Sequence, residues 1–313
     1  MLKTIWLHIG TAKSGTTAIQ HFCAERRDWL RARGVTYISP RGRTSANKLA
    51  IALIRDRTKE IAELSADLEG QIAACTTPRA LMSSEMFYGM EPARILEALP
   101  SARGRDLNVA AYVRRQDLYL EAKYIQKLKN GRFKGTVQDY IAKFDGSGAD
   151  YLDGLRPWMA LGVPVLVRVY ERPRLREGST VSDLLSYLGI YPTAKEMAAV
   201  TTENTSPSYG RLQLLQSLEG AGLAKVKQIQ RRLPPDPMGR ASVFDQEERR
   251  ALIARFGGGN EALRAVYAPD VPSLFDESDL DGPGRTGDAG FTPAQLEEIQ
   301  ALLAAVAAAY GIE

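Results

Sequence analysis

The stretch "TIWLHIGTAKSGTTAIQHF", residues 4–22, constrains the fold more than any other in the chain. Residues 4–9 form an apolar run that reads as a buried strand. Gly10 ends it, and Gly10-x-x-x-x-Gly15-Thr16-Thr17 opens a helical pattern. Strand, glycine-bearing loop and helix, in that order, give the context a phosphate loop needs. Glycines let the backbone approach phosphate oxygens, and the helix N-terminus offers N–H groups at its positive dipole end. The lysine is displaced. A nucleotide triphosphatase loop has lysine directly after the second glycine, where this chain has Thr16, and Lys13 comes two residues before Gly15. The bland alternative is a glycine-rich turn with a solvated lysine.

The chain continues in the same rhythm. A helix is expected from Thr16 to Arg33, stopped by Gly34. Strands are expected at 35–38, 79–84, 108–113 and 163–170. Helices are expected over 47–75, 115–130, 136–144, 149–160 and 181–190. Such alternation implies an α/β fold: a P-loop-type parallel sheet flanked by helices on both faces. After about residue 205 the pattern is wholly helical, which predicts an all-helical C-terminal part packed on the sheet. With 313 residues, 44% of them hydrophobic, the chain reads as one domain. Residues 1–200 form its nucleotide-binding core, and 201–313 its helical portion with a covering loop.

Composition narrows the function classes. A net charge of +4 is too small to mark a nucleic-acid binder, so no nucleic-acid partner is expected. Two cysteines and two histidines give no disulfide framework and no metal cluster. No apolar run is long enough to span a bilayer, so no stable membrane insertion is expected. These features point to a reducing cytoplasm. Oligomeric state is not legible.

"AKSGTT", residues 12–17, resembles the 5′-phosphosulfate loop of sulfotransferases that use 3′-phosphoadenosine 5′-phosphosulfate (PAPS), usually Pro-Lys-Ser-Gly-Thr-Thr. Ala12 stands where proline is common. The segments "RPRLREGSTVSDLLSYLGI" (172–190), "ENTSPS" (203–208), "FGGGNEALRAVY" (256–267) and "LFDESDL" (274–280) are similar to runs in the family, the last three in its bacterial members. The resemblance implies that Lys13 contacts the oxygen bridging sulfate and phosphate. It implies that Ser14, Gly15, Thr16 and Thr17 hold the 5′-phosphate. Arg114, at the end of a predicted strand, corresponds to the family's 3′-phosphate arginine. The family has a serine eight residues later, where this chain has Ala122. Arg115 or Lys123 could compensate. Otherwise Arg115, Asp117, Glu121 and Lys123 read as ordinary charges of a surface helix.

Sulfuryl transfer to a hydroxyl needs a base for the acceptor's proton. Several carbohydrate-modifying branches use glutamate, and Glu85 lies where another strand ends. A helix-cap or ion-pair carboxylate is the competing reading. His8, inside the first strand, and His21, in the first helix, read as packing or hydrogen-bonded residues. Arg285 and Gly287 fall in a glycine-rich loop that either covers the nucleotide or stays flexible. Arg41 and Arg43 read as solvated rather than lining an acceptor pocket.

The sequence thus predicts a PAPS-dependent sulfotransferase, with PAPS as donor co-substrate and no metal. The expected acceptor is a small molecule or carbohydrate bearing a hydroxyl or an amine. A lysine aimed at the breaking bridge stabilises charge on the departing phosphate oxygen. The alternatives are a P-loop kinase using ATP and Mg²⁺ and a nucleotide-binding protein without catalysis.

Overall fold

The structure is a computed structural model that describes residues 2–130, 132–133, 135–197, 242–281 and 293–310. The chain divides into two compact units. One comprises Met1–Arg115, Gly148–Thr202 and Phe256–Asp276; the other comprises Gln116–Ser147, Glu203–Arg255 and Glu277–Glu313.

The first unit is an α/β layer structure. Its strands are β1 (Thr4–Gly10), β2 (Val35–Tyr37), β3 (Arg79–Ser83), β4 (Asp106–Val113) and β5 (Val165–Val169). They form one sheet in the order β2-β3-β1-β4-β5, and every pair is parallel. Alternate residues of each strand face opposite sides. Ile5, Leu7, Ile9, Ala80, Met82, Val109, Ala111 and Val113 enter one core. Leu81, Ala110 and Tyr112 enter the other. Both faces are buried, so the strands read as nearly continuous apolar runs.

Helices cover each face with stripes at helical spacing. On the first face lie α3 (Asn47–Ile54), α4 (Thr58–Ala73), α5 (Pro92–Ala98), α6 (Pro100–Arg103), α9 (Tyr151–Ala160) and α13 (Gly257–Tyr267). Leu64, Leu68 and Ile72 of α4 are buried, as are Tyr151, Leu155 and Trp158 of α9. On the second face lie α1 (Thr16–Glu25), α2 (Arg27–Arg31) and α10 (Thr180–Tyr187). A short α11 (Ala194–Met197) follows.

Two expected helices are broken. The helix expected over Thr16–Arg33 divides at Arg26 (φ −114°), beside which Arg27 reaches out to the Tyr37 carbonyl and the Ser39 hydroxyl. The helix expected over 47–75 ends at Ile54. Asp56 takes φ +50°, and the N–H groups of Asp56 and Arg57 close back on the carbonyls of Leu53 and Ala52. That is a left-handed helix stop of the kind glycine usually makes, here made by aspartate. Helices α5 and α6 were not expected. Each starts with a proline in its first turn, where the missing N–H costs nothing.

The described part of the second unit is helical: α7 (Gln116–Lys129), α8 (Val137–Ala142), α12 (Gln246–Arg255) and α14 (Pro293–Tyr310). Leu120, Tyr124, Ile125, Leu128, Tyr140, Phe244 and Leu252 form its core. Here the expectation of surface charges fails. Asp117 is 0% exposed, Glu121 8% and Arg249 7%. Arg249 bridges the two carboxylates, with Nη1 2.6 Å from Asp117 Oδ2 and Nη2 2.6 Å from Glu121 Oε1. Glu121 also accepts the N–H of Val243 at 2.8 Å. Arg115, in the first unit, is buried as well and donates to the Asp276 carbonyl. Lys123 donates to the Tyr119 hydroxyl at 2.9 Å. Residues 203–208, 285 and 287 lie outside the described residues.

Candidate functional site

The site lies at the carboxyl ends of β1, β3, β4 and β5, the edge where open α/β sheets bind ligands. All of it belongs to the first unit. β1 runs into the loop at Gly10, and its register against β4 shifts between His8 and Gly10. Thr11 anchors the loop, since both its N–H (2.9 Å) and its hydroxyl (2.8 Å) donate to the Tyr112 carbonyl. The carbonyl of Thr11 in turn accepts the hydroxyls of Ser14 (2.5 Å) and Thr16 (2.8 Å). Ser14 and Thr16 are buried, so these hydroxyls brace the loop from inside.

What the loop offers outward is backbone. Gly15 is the N-cap of α1 at φ +82°, with no side-chain cap. Among the described residues, the N–H groups of Gly15, Thr16 and Thr17 have no backbone acceptor. They stand at the positive end of a ten-residue helix. A Cβ on Gly15 would come within 2.6 Å of Thr180 Oγ1 and 3.0 Å of the Tyr170 ring. Gly15 is therefore required both by its left-handed φ and by close packing. Lys13 also has a positive φ, +66°. Its half-buried position in the loop is fixed through its carbonyl, which accepts Arg114 Nη1 at 2.8 Å.

Arg114 follows β4 directly. Its guanidinium lies 5.5 Å from the centroid of the Tyr170 ring, and Tyr170 occupies the same place after β5. The N–H of Tyr170 donates to the Val113 carbonyl at 2.7 Å. Thr180 opens α10, whose position is set by Asp183. That carboxylate takes Arg168 Nε (2.9 Å) and Nη2 (2.8 Å) and the Tyr112 hydroxyl (2.9 Å). The structure thus brings Lys13, Ser14, Gly15, Thr16, Thr17 and Arg114 together, and adds Tyr170 and Thr180 to them.

Glu85 lies against the other side of the loop. A Cβ on Gly10 would sit 3.0 Å from Glu85 Cα, so the glycine permits this approach. Two carboxamides hold the carboxylate: Gln20 Nε2 is 2.7 Å from Oε2, and Asn47 Nδ2 is 3.0 Å from Oε1. The amides are themselves oriented. Asn47 Oδ1 accepts the Ser84 hydroxyl at 2.7 Å, and Gln20 Nε2 reaches Ser83 Oγ at 3.3 Å. Ser83 Oγ also meets His8 Nδ1 at 2.8 Å. Among the described residues each carboxylate oxygen takes one of these donors, which leaves it further acceptor capacity.

His8 is fully buried, and burial lowers its pKa from 6.5 to about 3. It is a neutral, hydrogen-bonded residue at neutral pH. His21 lies at the surface 3.8 Å from Glu25. Arg41 and Arg43 are exposed, in line with the solvated reading.

Sequence reasoning missed four residues at this edge. Tyr170 and Thr180 carry only positional signals, one residue past a strand and at a helix start. Gln20 lies four residues after Thr16, on the same face of α1. Asn47 opens the helix after the second strand's loop.

No family model matches the chain. An uncharacterized protein of Archaeoglobus fulgidus is 33% identical over 119 residues, which is 37% of this chain and 32% of that protein. The match thus spans about a third of that relative's length. A sulfotransferase from Alicyclobacillus acidocaldarius is similar at 12% identity and a TM-score of 0.45, over 87% of this chain and 98% of its own. The mouse sulfotransferase SULT7A1, solved in complex with PAP, is similar at 16% identity and a TM-score of 0.36, over 63% and 62%. A structure of the PezAT toxin-antitoxin system of Streptococcus pneumoniae gives 12% and 0.31, over 72% and 87%. At such scores the likenesses assign neither family nor activity.

Proposed function

We propose that the chain is a PAPS-dependent sulfotransferase acting on a hydroxyl acceptor. One observation carries the reading: a loop with outward N–H groups has Arg114 against its Lys13 carbonyl and Glu85 against its Gly10. A donor with two separate phosphates needs two anion sites at one edge. The α1 N-terminus suits one, and the Arg114 fork suits the other.

The roles follow from the chemistry. The acceptor oxygen attacks sulfur as the bond from sulfur to the bridging oxygen breaks. Glu85 takes the acceptor's proton. Lys13 and the N–H groups of Gly15, Thr16 and Thr17 stabilise charge growing on the phosphate. Gln20 and Asn47 keep the Glu85 carboxylate oriented. Arg285 and Gly287 cover the nucleotide in this reading. The acceptor class includes carbohydrates, and the working compartment is the cytoplasm.

The test is calorimetric titration with adenosine 3′,5′-bisphosphate, without metal. Binding should weaken roughly 10- to 100-fold in Lys13→Ala and in Arg114→Ala, the loss of one charge-assisted contact each. Ala122→Ser should tighten binding modestly. If neither alanine substitution matters, the site is wrong. Mg²⁺-dependent transfer from labelled ATP would instead identify a kinase.

A further inference from the structure

Arg114 stands one residue past the end of β4, where the sheet stops supplying partners. The ladder between β4 and β5 ends with Val113 opposite Val169. On the other side, the last pair with β1 is Gly10 opposite Ala111. The peptide groups of Arg114 turn instead to one phenol. The Tyr151 hydroxyl donates to the Arg114 carbonyl and, across 3.4 Å, accepts the Arg114 N–H. Doing both takes a group that is donor and acceptor at once, as a hydroxyl is.

Tyr151 is itself placed with little freedom. It is buried and opens α9. Its ring meets Tyr88 edge-on, with centroids 6.3 Å apart, and Phe275 at 6.2 Å. The Tyr88 hydroxyl donates to the carbonyl of Asp150, the N-cap of α9, at 2.8 Å. The Tyr88 ring also lies against Gly154, where an added Cβ would fall 2.3 Å from it. Tyr88 comes three residues after Glu85. The start of α9 is thus pinned from the segment that carries the proposed base, and through Tyr151 it pins the arginine. The far end of Arg114 is fixed too, since Nη1 donates to the Lys13 carbonyl at 2.8 Å and the guanidinium lies over the Tyr170 ring. A side chain tethered at backbone and tip loses less freedom when a ligand arrives.

We propose that Tyr151 is a positioning residue for Arg114. Its hydroxyl holds the arginine's peptide and so presets the guanidinium for the nucleotide's second phosphate. The proposal rests on the transferase reading and deepens it. Tyr151 acts through Arg114 and needs no contact with the ligand. Its contribution therefore shows in how well the site tells a nucleotide carrying the second phosphate from one without it.

The experiment titrates the full chain calorimetrically with adenosine 3′,5′-bisphosphate and with adenosine 5′-monophosphate, and reads the ratio of the two affinities. Tyr151→Phe removes one oxygen and keeps the ring in the core. Its ratio should fall about 3- to 10-fold, through weaker bisphosphate binding at unchanged monophosphate binding. Arg114→Ala should lower the ratio about tenfold or more, and adding Tyr151→Phe to it should change the ratio no further. Leu64→Ala, a cavity under α4 in the same core, should cost stability and leave the ratio at the wild-type value. That separates positioning from general loosening. Tyr88→Phe, which releases the start of α9, should move the ratio in the same direction as Tyr151→Phe, and it decides the question if Tyr151→Phe does not fold. The proposal is overturned if Tyr151→Phe keeps the wild-type ratio or if its effect persists in the Arg114→Ala background. Without a folded Tyr151→Phe, a wild-type ratio in Tyr88→Phe overturns it. A wild type that binds both nucleotides equally, or an Arg114→Ala that discriminates as well as wild type, overturns the transferase reading instead.

Discussion

Arg114 Nη1 donates to the carbonyl oxygen of Lys13 across 2.8 Å, 101 positions earlier in the chain. This contact ties the end of β4 to the middle of the loop, where Lys13 holds a left-handed φ. Arginine's planar fork reaches that carbonyl in a fixed geometry; lysine has no such fork. Arg114→Lys should therefore keep the charge yet loosen residues 13–17. Amide exchange in this loop should rise, and bisphosphate-nucleotide affinity should fall. Unchanged exchange with unchanged affinity would remove Arg114 from the site.

Gly15→Ala places a methyl group where Thr180 Oγ1 and the Tyr170 ring already sit, at a φ of +82°. We expect a loss of about 1–3 kcal/mol in stability, from backbone strain and overpacking. Adding Thr180→Ala should recover the packing part and leave the strain. Urea unfolding of the single and double variants reads both. Equal stability of Gly15→Ala and wild type contradicts the close approach.

Gln20 and Asn47 each donate one hydrogen bond to Glu85. Gln20→Ala and Asn47→Ala should lower kcat more than they raise KM for the donor. The loss should be large for an alcohol acceptor and small for a phenol already ionised at the assay pH, which needs no base. In a Glu85→Gln background either alanine should cost little further. Equal losses on both acceptors point to a merely structural role.

The pKa of His8 is lowered from 6.5 to about 3 by burial. The unfolded chain therefore binds a proton between those values that the folded chain refuses. Stability from this residue is complete above pH 6.5 and is lost as pH falls toward 3, by up to ~1.4 kcal/mol per pH unit. His8→Asn should flatten that slope in urea unfolding measured at successive pH values. Parallel curves for the two proteins contradict the assignment.

In the second unit, Arg249→Ala leaves Asp117 and Glu121 buried without their cation. Breaking a buried ion group from one side costs about 3–5 kcal/mol. The loss should appear as a lower thermal midpoint, and Arg249→Lys should recover only part of it. A midpoint within error of wild type argues against the buried triad.

The five strands, the glycine-bearing loop between β1 and α1 and the place of Arg114 at its strand end were legible because their signals are local. Apolar runs, glycine placement and strand-end position depend on residues a few places apart. The same locality explains the errors. Asp56 ends α3 in a conformation that its residue type only weakly signals, and Asp117 and Glu121 carry charges that look solvated on a lone helix. Their burial depends on Arg249, 132 and 128 positions away.

The sequence by itself determined an α/β chain with a glycine-bearing loop between its first strand and helix, because side-chain periodicity and backbone freedom are properties of short segments. Only the tertiary structure decided that Gln20 and Asn47 meet on Glu85, that Tyr170 and Thr180 close on Gly15, and that Arg114 braces Lys13. Each of these depends on how far apart two distant segments come to rest. That separation is set by packing of the whole core, which no neighbouring residue encodes.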